Sequence, residues 1–374
     1  MSQQTKKAVV SGDFEAEIAV VREQIDALDA QLLSLMNHRA ECAQQVGEIK
    51  ARHGQGGHIY RPEREAKVLQ RLRNLNTGPL SAESVTFFFR ELMSACLALE
   101  RPLSVAFLGP LGSFSEAASL KHFGHAANLL PLPSFDDVFR ELESGHADYG
   151  VVPVENSTGG AIGRTLDLLL TTPLSICGEV LLRVHQHLLS NSKALEDIRV
   201  VYSHAQSLSQ CHEWLNRVLP HVKRVALDSN SLAAQMAAAE AGAAAIAGAS
   251  AGERYGLTQL ASNIEDDPNN TTRFLVLGRH DAGLTGEGRD KTSLVLSAPN
   301  RTGALQSLLA PLAEAGVSMT RLESRPARHS LWEYVFYVDI EGHRETPEVV
   351  VALKELGARA AFLKVLGSYP RALL

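Results

Sequence analysis

The sequence predicts a multidomain chain with three textures: an all-α domain over residues 14–101, an α/β domain over 104–280 and an α+β module in ferredoxin-like order over 291–374. Three observations carry this. Residues 14–100 hold almost no Gly or Pro and repeat apolar side chains at spacings of three and four. Residues 104–280 alternate short apolar runs with helical stretches. A glycine-rich stretch, 281–290, reads as a linker before the last module.

In the first texture, Ile18, Val21, Ile25, Leu28, Leu32, Leu35 and Met36 form one face of an amphipathic helix. It runs from residue 14 to about Arg52, about 57 Å at 1.5 Å per residue. A rod of that length does not fit a compact monomer, so it needs partners from its own chain or from a second one. The stretch from Arg52 to Gly57 breaks it. Pro62 restarts helix at its first turn, with Glu63 and Glu65 where the dipole favours acids. Asn76-Thr77-Gly78-Pro79 is the next break, and Ser81-Ala82-Glu83 opens a third helix ending near Glu100. Arg101-Pro102 marks a boundary. Strands are then expected at 105–108, 149–153, 199–202 and 243–247, the first followed by Gly109-Pro110-Leu111-Gly112-Ser113 and a helix from about Ser115. In the last module, strands are expected at 293–297, 332–340 and 362–367, with helices at 304–315 and 346–356.

Composition narrows the function. The chain has 374 residues, 45% hydrophobic and 21% charged, which suits a soluble protein with full-sized cores. No apolar run approaches the ~18 residues of a membrane span, and the start lacks the apolar stretch of a secretory signal, so a cytoplasmic protein without membrane contact is expected. Cys42, Cys96, Cys177 and Cys211 stand singly, against a disulfide framework or a thiolate zinc site. Net charge is −6, from 36 basic and 42 acidic residues, which argues against nucleic-acid binding. Residues 1–103 are balanced at 13 of each sign, yet 39–73 hold eight basic and four acidic side chains. That local excess suits a pocket for a small anion.

Arg39 and Lys50 are eleven residues apart, about 20° apart around a helix, while Arg22 is rotated about 100° from them. Alone, three cations read as a solvated face. Their flanks are Val21-Arg22-Glu23-Gln24-Ile25-Asp26-Ala27-Leu28-Asp29, Asn37-His38-Arg39, Val46-Gly47-Glu48-Ile49-Lys50 and Tyr60-Arg61-Pro62-Glu63-Arg64-Glu65. With these, residues 14–100 resemble the all-helical chorismate mutase family. The resemblance implies a dimer of paired long helices, in which Arg22 from the partner, Arg39 and Arg64 hold the two carboxylates of chorismate. It implies that Lys50 donates to the ether oxygen and Glu65 holds the ring hydroxyl. The rearrangement is intramolecular, so it needs no nucleophile and no cofactor, only a near-attack conformer and donors at the oxygen that gains charge. Two positions depart from the family pattern. Arg61 stands where some members have aspartate, and Glu100 where others have glutamine. An ionised carboxylate cannot donate, so Glu100 is expected to act protonated and mutase activity to fall as pH rises.

Gly109 to Ser115, Glu155-Asn156-Ser157-Thr158-Gly159-Gly160, Ser203-His204-Ala205-Gln206 and Asn269-Asn270-Thr271-Thr272-Arg273-Phe274 concentrate small polar residues where loops meet helices, a ready site for carboxylates. Together with Ala247-Gly248-Ala249-Ser250, Tyr255-Gly256-Leu257 and Ile264-Glu265-Asp266, they resemble prephenate dehydratase. That family has two α/β lobes with the substrate between them. The resemblance implies that Thr272 assists departure of the ring hydroxyl and that Glu155, Asn156 and Ser157 line the cleft. It also implies that Ser113 and Ser115, with His204, Gln206, Arg273 and Phe274, hold prephenate. Ala205 replaces the proline usual in that stretch, which alters loop stiffness more than chemistry. No metal or nicotinamide is called for, and the chain has no G-x-G-x-x-G for a fused dehydrogenase.

Other motifs weigh less. Gly248-Ala249-Ser250-Ala251-Gly252 matches a nucleophile elbow, with Asp266 and His280 following in hydrolase order. His185 and His187 could share a strand face, but a structural role is expected without a third ligand. Asn300-Arg301-Thr302-Gly303-Ala304-Leu305 and Glu323-Ser324-Arg325-Pro326 resemble an ACT domain of the phenylalanine-binding kind. Such domains pair across subunits, which implies L-phenylalanine as effector at Asn300, Gly303, Ala304, Leu305, Glu323, Ser324 and Arg325, and inhibition of the dehydratase. The chain is therefore expected to turn chorismate into prephenate and prephenate into phenylpyruvate, as a homodimer or dimer of dimers. The rival is a two-lobed amino-acid or anion binding protein with a helical dimerisation arm, which would leave chorismate unchanged.

Overall fold

The computed structural model describes residues 3–54, 60–298, 301–326 and 334–372. It divides into two compact units, one of Met1–Ile59 with Leu92–Pro102, the other of Tyr60–Glu91 with Leu103–Leu374.

The first unit is built on α1 (Gln3–Arg52), which starts eleven residues before the expected position and is about 75 Å long at 1.5 Å per residue. Its contact stripe is Arg39, Ala40, Ala43, Gly47 and Lys50, all half-buried at spacings of one, three, four and three. The end of α3 (Ala82–Glu100) packs there: Arg39 Nη1 donates to Cys96 Sγ at 3.0 Å, and the Glu100 side chain lies over Gly47. A Cβ at Gly47 would come within 2.9 Å of Glu100 Cγ, so a side chain there would push the Glu100 side chain aside. The apolar face expected from the sequence is bare in the single chain. Val21, Ile25, Leu28, Leu32, Leu35 and Met36 are 46–65% exposed.

In the second unit, α2 (Pro62–Leu75) has Pro62 at its first turn. Two lobes follow. The first lobe has a sheet in the order β2-β1-β3-β11-β5: Asn128–Leu132, Ser104–Leu108, Tyr149–Asn156, Thr271–Gly278 and Ser175–Arg183, with the short β4 (Gly160–Ala161) beside β3. Its helices are α4 (Phe114–Phe123), α5 (Phe135–Glu143) and α6 (Gly163–Thr171). Between β5 and β11 the chain leaves to make the second lobe, with sheet order β10-β6-β9-β7-β8: Thr258–Ala261, His187–Ser190, Ala243–Ala247, Val200–His204 and Lys223–Leu227. Helices α7 (Ala205–Gln210), α8 (His212–Val218), α9 (Asn230–Ala239) and α10 (Ala249–Tyr255) belong to it. β9 is almost all alanine because Ala233, Ala234 and Ala237 of α9 press onto it without bulk between. The two crossings between lobes are tied to each other by Val184 N–H to Asn270 O and Ile264 N–H to Gln186 O, both 2.8 Å.

The last module has the sheet order β13-β14-β12-β15 (Met319–Pro326, Tyr334–Glu341, Asp290–Ser297, Phe362–Pro370), all antiparallel, with α11 (Ala304–Glu314) and α12 (Pro347–Arg359). β13, which the sequence pattern did not mark, completes the ferredoxin-like order. Residue 332, the expected start of β14, lies outside the described residues. The glycine-rich 281–290 stretch is anchored and not slack: Ala282 and Thr285 are buried, and Thr285 Oγ1 donates to Asp290 at 2.7 Å. The core of the first lobe runs into the module's sheet, with Leu166, Leu169, Ile176 and Leu275 packed with Val295, Tyr337, Leu366 and Tyr369. β15 approaches β5 so closely at Gly367 that a Cβ there would overlap the Ile176 carbonyl.

Candidate active site

The two lobes enclose a cleft of about 330 Å³, within the range of small-molecule sites. One wall is β3, β11 and the start of α4, the other the starts of α7 and α9. Among the described residues neither Lys nor Arg lines it, and Asp228 and His204 are its ionisable groups. Attraction for an anion comes from helix ends. Ser113 caps α4, its Oγ accepting from Glu116 N–H at 3.3 Å, and Ser229 caps α9, accepting from Leu232 N–H at 3.1 Å. Phe114, Pro153, Val184 and Phe274 supply apolar surface between them.

At the centre, Asn156 and Thr272 are direct cross-strand partners on β3 and β11. Asn156 Oδ1 accepts from Gly159 N–H and Thr158 Oγ1, both at 2.8 Å, which fixes the amide so that Nδ2 points the other way. Nδ2 donates to Asn270 Oδ1 at 2.7 Å and to Thr272 Oγ1 at 2.9 Å. Because Thr272 Oγ1 accepts there, its own proton is directed elsewhere. Both side chains are buried and line the cleft.

The cleft holds Ser113, Ser115, Asn156, His204, Gln206, Thr272 and Phe274 of the residues singled out in the sequence. It does not hold three others. Arg273 lies on the opposite face of β11, where Nε meets Glu179 at 2.8 Å and Nη2 donates to Tyr369 OH at 2.9 Å. Glu155 likewise faces away and pairs with Arg321 Nε at 2.8 Å. Ser157 is exposed, its Oγ accepting from Thr271 N–H at 3.0 Å. The reason is the period of two in a strand: neighbours in a motif point to opposite faces. Sequence reasoning missed Gln186, Ser207, Gln210, Asn230 and Ser231. Gln186 is buried and donates from Nε2 to Ser207 Oγ at 3.0 Å. The Asp228-Ser229-Asn230-Ser231 run before an alanine-rich helix is a capping signature that could have marked its share of the cleft.

In the first unit, Arg39, Lys50 and Glu100 lie along the half-buried contact of α1 with the end of α3, and Arg22 is exposed further along α1. Arg64 and Glu65 belong to the second unit. Arg64 is exposed, whereas Glu65 turns into that unit beside Arg90, at 3.4 Å from its Nε. Burial raises its carboxyl to about 7, with Arg90 opposing the rise.

Family models match in the same order as these regions: chorismate mutase type II over residues 21–101, prephenate dehydratase over 105–282 and the ACT domain over 292–358. A bifunctional chorismate mutase/prephenate dehydratase of Neisseria gonorrhoeae is 54% identical over 356 residues, which cover 94% of this chain and 97% of that protein. The chain belongs to the bifunctional chorismate mutase/prephenate dehydratase family. The counterparts of Pseudomonas aeruginosa and Escherichia coli are 48% and 36% identical, covering 96% and 95% of this chain and 99% and 97% of theirs. Among solved structures, the prephenate dehydratase of Arthrobacter aurescens in complex with L-Phe matches with a TM-score of 0.67 and 33% identity, covering 72% of this chain and 90% of that one. GqqA, described as a quorum-quenching acylase, matches at 0.66 and 32%, covering 72% and 98%. The bifunctional enzyme thus carries chorismate mutase and prephenate dehydratase activities with an ACT regulatory domain.

In that regulatory domain, Gly303 sits at φ 73° before α11, a left-handed position that suits glycine, and Ala304 and Leu305 open the helix. Asn300 lies outside the described residues. Glu323, Ser324 and Arg325 do not share one face. Along β13, Arg321, Glu323 and Arg325 are half-buried, with Arg325 3.3 Å from Asp167 of α6, while Leu322 and Ser324 are exposed. The hydrolase motif does not assemble into a triad either. Asp266 is occupied in capping α8, accepting from Glu213 and Trp214 N–H at 3.0 and 3.1 Å. His185 Nδ1 meets Glu265 at 2.8 Å and His187 Nδ1 accepts from Asn263 N–H at 3.2 Å, which are structural contacts. No helix among the described residues is long and apolar enough to cross a membrane.

Proposed function

We propose that Thr272 is the proton donor of the dehydratase and that Asn156 aims it. Prephenate loses its ring carboxylate as carbon dioxide, the electron pair of that bond completes the aromatic ring, and the ring hydroxyl leaves with a proton from Thr272. Water then returns the proton to the threonine. The supporting observation is the 2.9 Å bond from Asn156 Nδ2 to Thr272 Oγ1. An oxygen that accepts one hydrogen bond donates its own proton more readily. The pyruvyl carboxylate is held at the starts of α4 and α9, with Ser113 and Ser115 beside it, and the ring lies against Phe114 and Phe274. Thr272→Val keeps the shape and removes the hydroxyl. It should lower prephenate turnover by about 10²–10⁴-fold, the usual worth of a general acid, while Thr272→Ser retains much of the rate. Equal rates for Val and wild type would refute the assignment.

The roles of Arg22, Arg39, Lys50, Arg64, Glu65 and Glu100 toward chorismate follow the family pattern, with Lys50 and Glu100 serving the ether oxygen. The bare apolar stripe of α1 supports a homodimer, or a dimer of dimers, closed by that helix. Domains over 14–101, 104–280 and 291–374, and a cytoplasmic location, fit the same picture. L-Phenylalanine inhibits the dehydratase through the ACT domain, a reading supported by the Arthrobacter aurescens complex. Titration of prephenate turnover with L-phenylalanine tests it: rates that fall support it, and rates that stay level across the titration contradict it.

A further inference from the structure

The catalytic sheet and the regulatory sheet meet through two cross-strand pairs of opposite composition. In the first lobe, Glu155 faces Arg273 across β3 and β11, one position along from Asn156 and Thr272 and on the reverse side of the sheet. In the regulatory domain, Arg321 faces Asp339 across β13 and β14. The pairs are joined crosswise. Arg321 Nε lies 2.8 Å from Glu155, and Arg273 Nη1 donates to Asp339. Arg321, Arg273 and Asp339 are 10%, 11% and 6% exposed in their side chains and Glu155 is 39% exposed, so three of the four charges are largely shielded from water and salt while Glu155 sits at the open edge. The ladder between β11 and β3 shifts register between Arg273 and Phe274, so regular backbone pairing is interrupted beside Thr272 and side-chain anchors matter more there.

We propose that Arg321, a residue of the regulatory domain, is a positioning residue for the dehydratase. It holds Glu155 away from Arg273, leaves Arg273 to Asp339, Glu179 and Tyr369, and so keeps Asn156 and Thr272 at hydrogen-bonding distance on the other face of the same two strands. Without the Arg321 charge, Glu155 and Arg273 are opposite charges on facing residues and draw together, twisting the pair that carries the catalytic bond. The inference rests on the reading of Thr272 as proton donor. It also gives the regulatory domain a direct physical hold on the site, through the strand that carries Glu323 and Arg325.

The test uses the full-length enzyme, whose mutase activity reports on folding in the same sample. Arg321→Met should lower dehydratase kcat about tenfold, with KM for prephenate and mutase turnover changed less than about twofold, since a small misplacement of reacting groups by a mutation away from the chemistry can cost up to about 10²-fold. Arg321→Lys, which keeps the charge, should recover most of the loss. Adding Glu155→Gln to Arg321→Met removes the charge that would be drawn to Arg273, so the double variant should recover most of the loss. A wild-type kcat in Arg321→Met, or losses that persist or multiply in the double variant, would overturn the inference. Thr272→Val in the same assay separates the two ideas: full activity there defeats the proton-donor reading, whereas full activity in Arg321→Met defeats only the coupling.

Discussion

The cleft around Thr272 is lined by hydroxyls, amides and helix ends, whereas the helical unit presents Arg39 and Lys50 on a rod whose apolar face is bare. On the proposed assignments both handle the same carbon skeleton, yet their chemistry asks for different materials. Dehydration needs a proton delivered to one oxygen, so a neutral donor held between neighbouring strands of a sheet suffices. The pericyclic step needs cations around a substrate that must first be folded, and forked guanidinium groups grip carboxylates best. The cleft around Thr272 is lined by residues of a single chain. A site on a 50-residue helix with an exposed stripe calls for a partner.

Charge-neutral replacement gives the sharpest contrast. Lys50→Met should cost mutase turnover about 10²–10³-fold, the usual loss when a donor to a developing negative charge is removed, and leave prephenate turnover unchanged. Steady-state rates with each substrate decide it; an equal fall in both would erase the distinction between the two sites. A smaller effect concerns Glu100. Glu100→Gln should raise mutase turnover several-fold and leave prephenate turnover unchanged, because the amide adds a hydrogen-bond donor toward the ether oxygen. Mutase turnover that the substitution leaves unchanged would remove Glu100 from the site.

Leu28→Glu with Leu32→Glu places charge on the exposed stripe and should shift the oligomer toward smaller species at micromolar concentration in sedimentation, with the mutase losing more than the dehydratase. Unchanged sedimentation would leave the stripe without a partner. The smallest expected effect is at Glu65. With its carboxyl raised to about 7 by burial, the folded state keeps a proton that the unfolded chain has already lost. Its contribution is therefore full below the ordinary carboxylate range and disappears as pH rises through about 7. Thermal melts should fall by a few degrees between about pH 5 and 8 in the wild type and less in Glu65→Gln.

Much of this was legible in the letters. Pro62, Gly303 and the 76–79 break punctuate helices through backbone constraints that act locally, and Thr272, Asn156 and Ser113 meet in one cleft as the polar clusters implied. What misled was contiguity. Thr272-Arg273-Phe274 and Glu323-Ser324-Arg325 read as units, but a strand sends alternate residues to opposite faces, so Arg273 and Ser324 part from their neighbours. Asn230 and Gln186 were hidden because their role depends on the two lobes closing, a long-range event without a local signal. The 281–290 glycines suggested slack, yet Thr285 and Asp290 are held by burial and a hydrogen bond that composition does not reveal.

Two separable centres on one chain can be tested by mixing. Thr272→Val and Lys50→Met proteins are each given chorismate, alone and in equal amounts together, while prephenate and phenylpyruvate are measured separately. Thr272→Val alone should accumulate prephenate, Lys50→Met alone should leave chorismate almost untouched, and the mixture should produce phenylpyruvate. Phenylpyruvate formed at the wild-type rate by either variant alone would contradict the assignment.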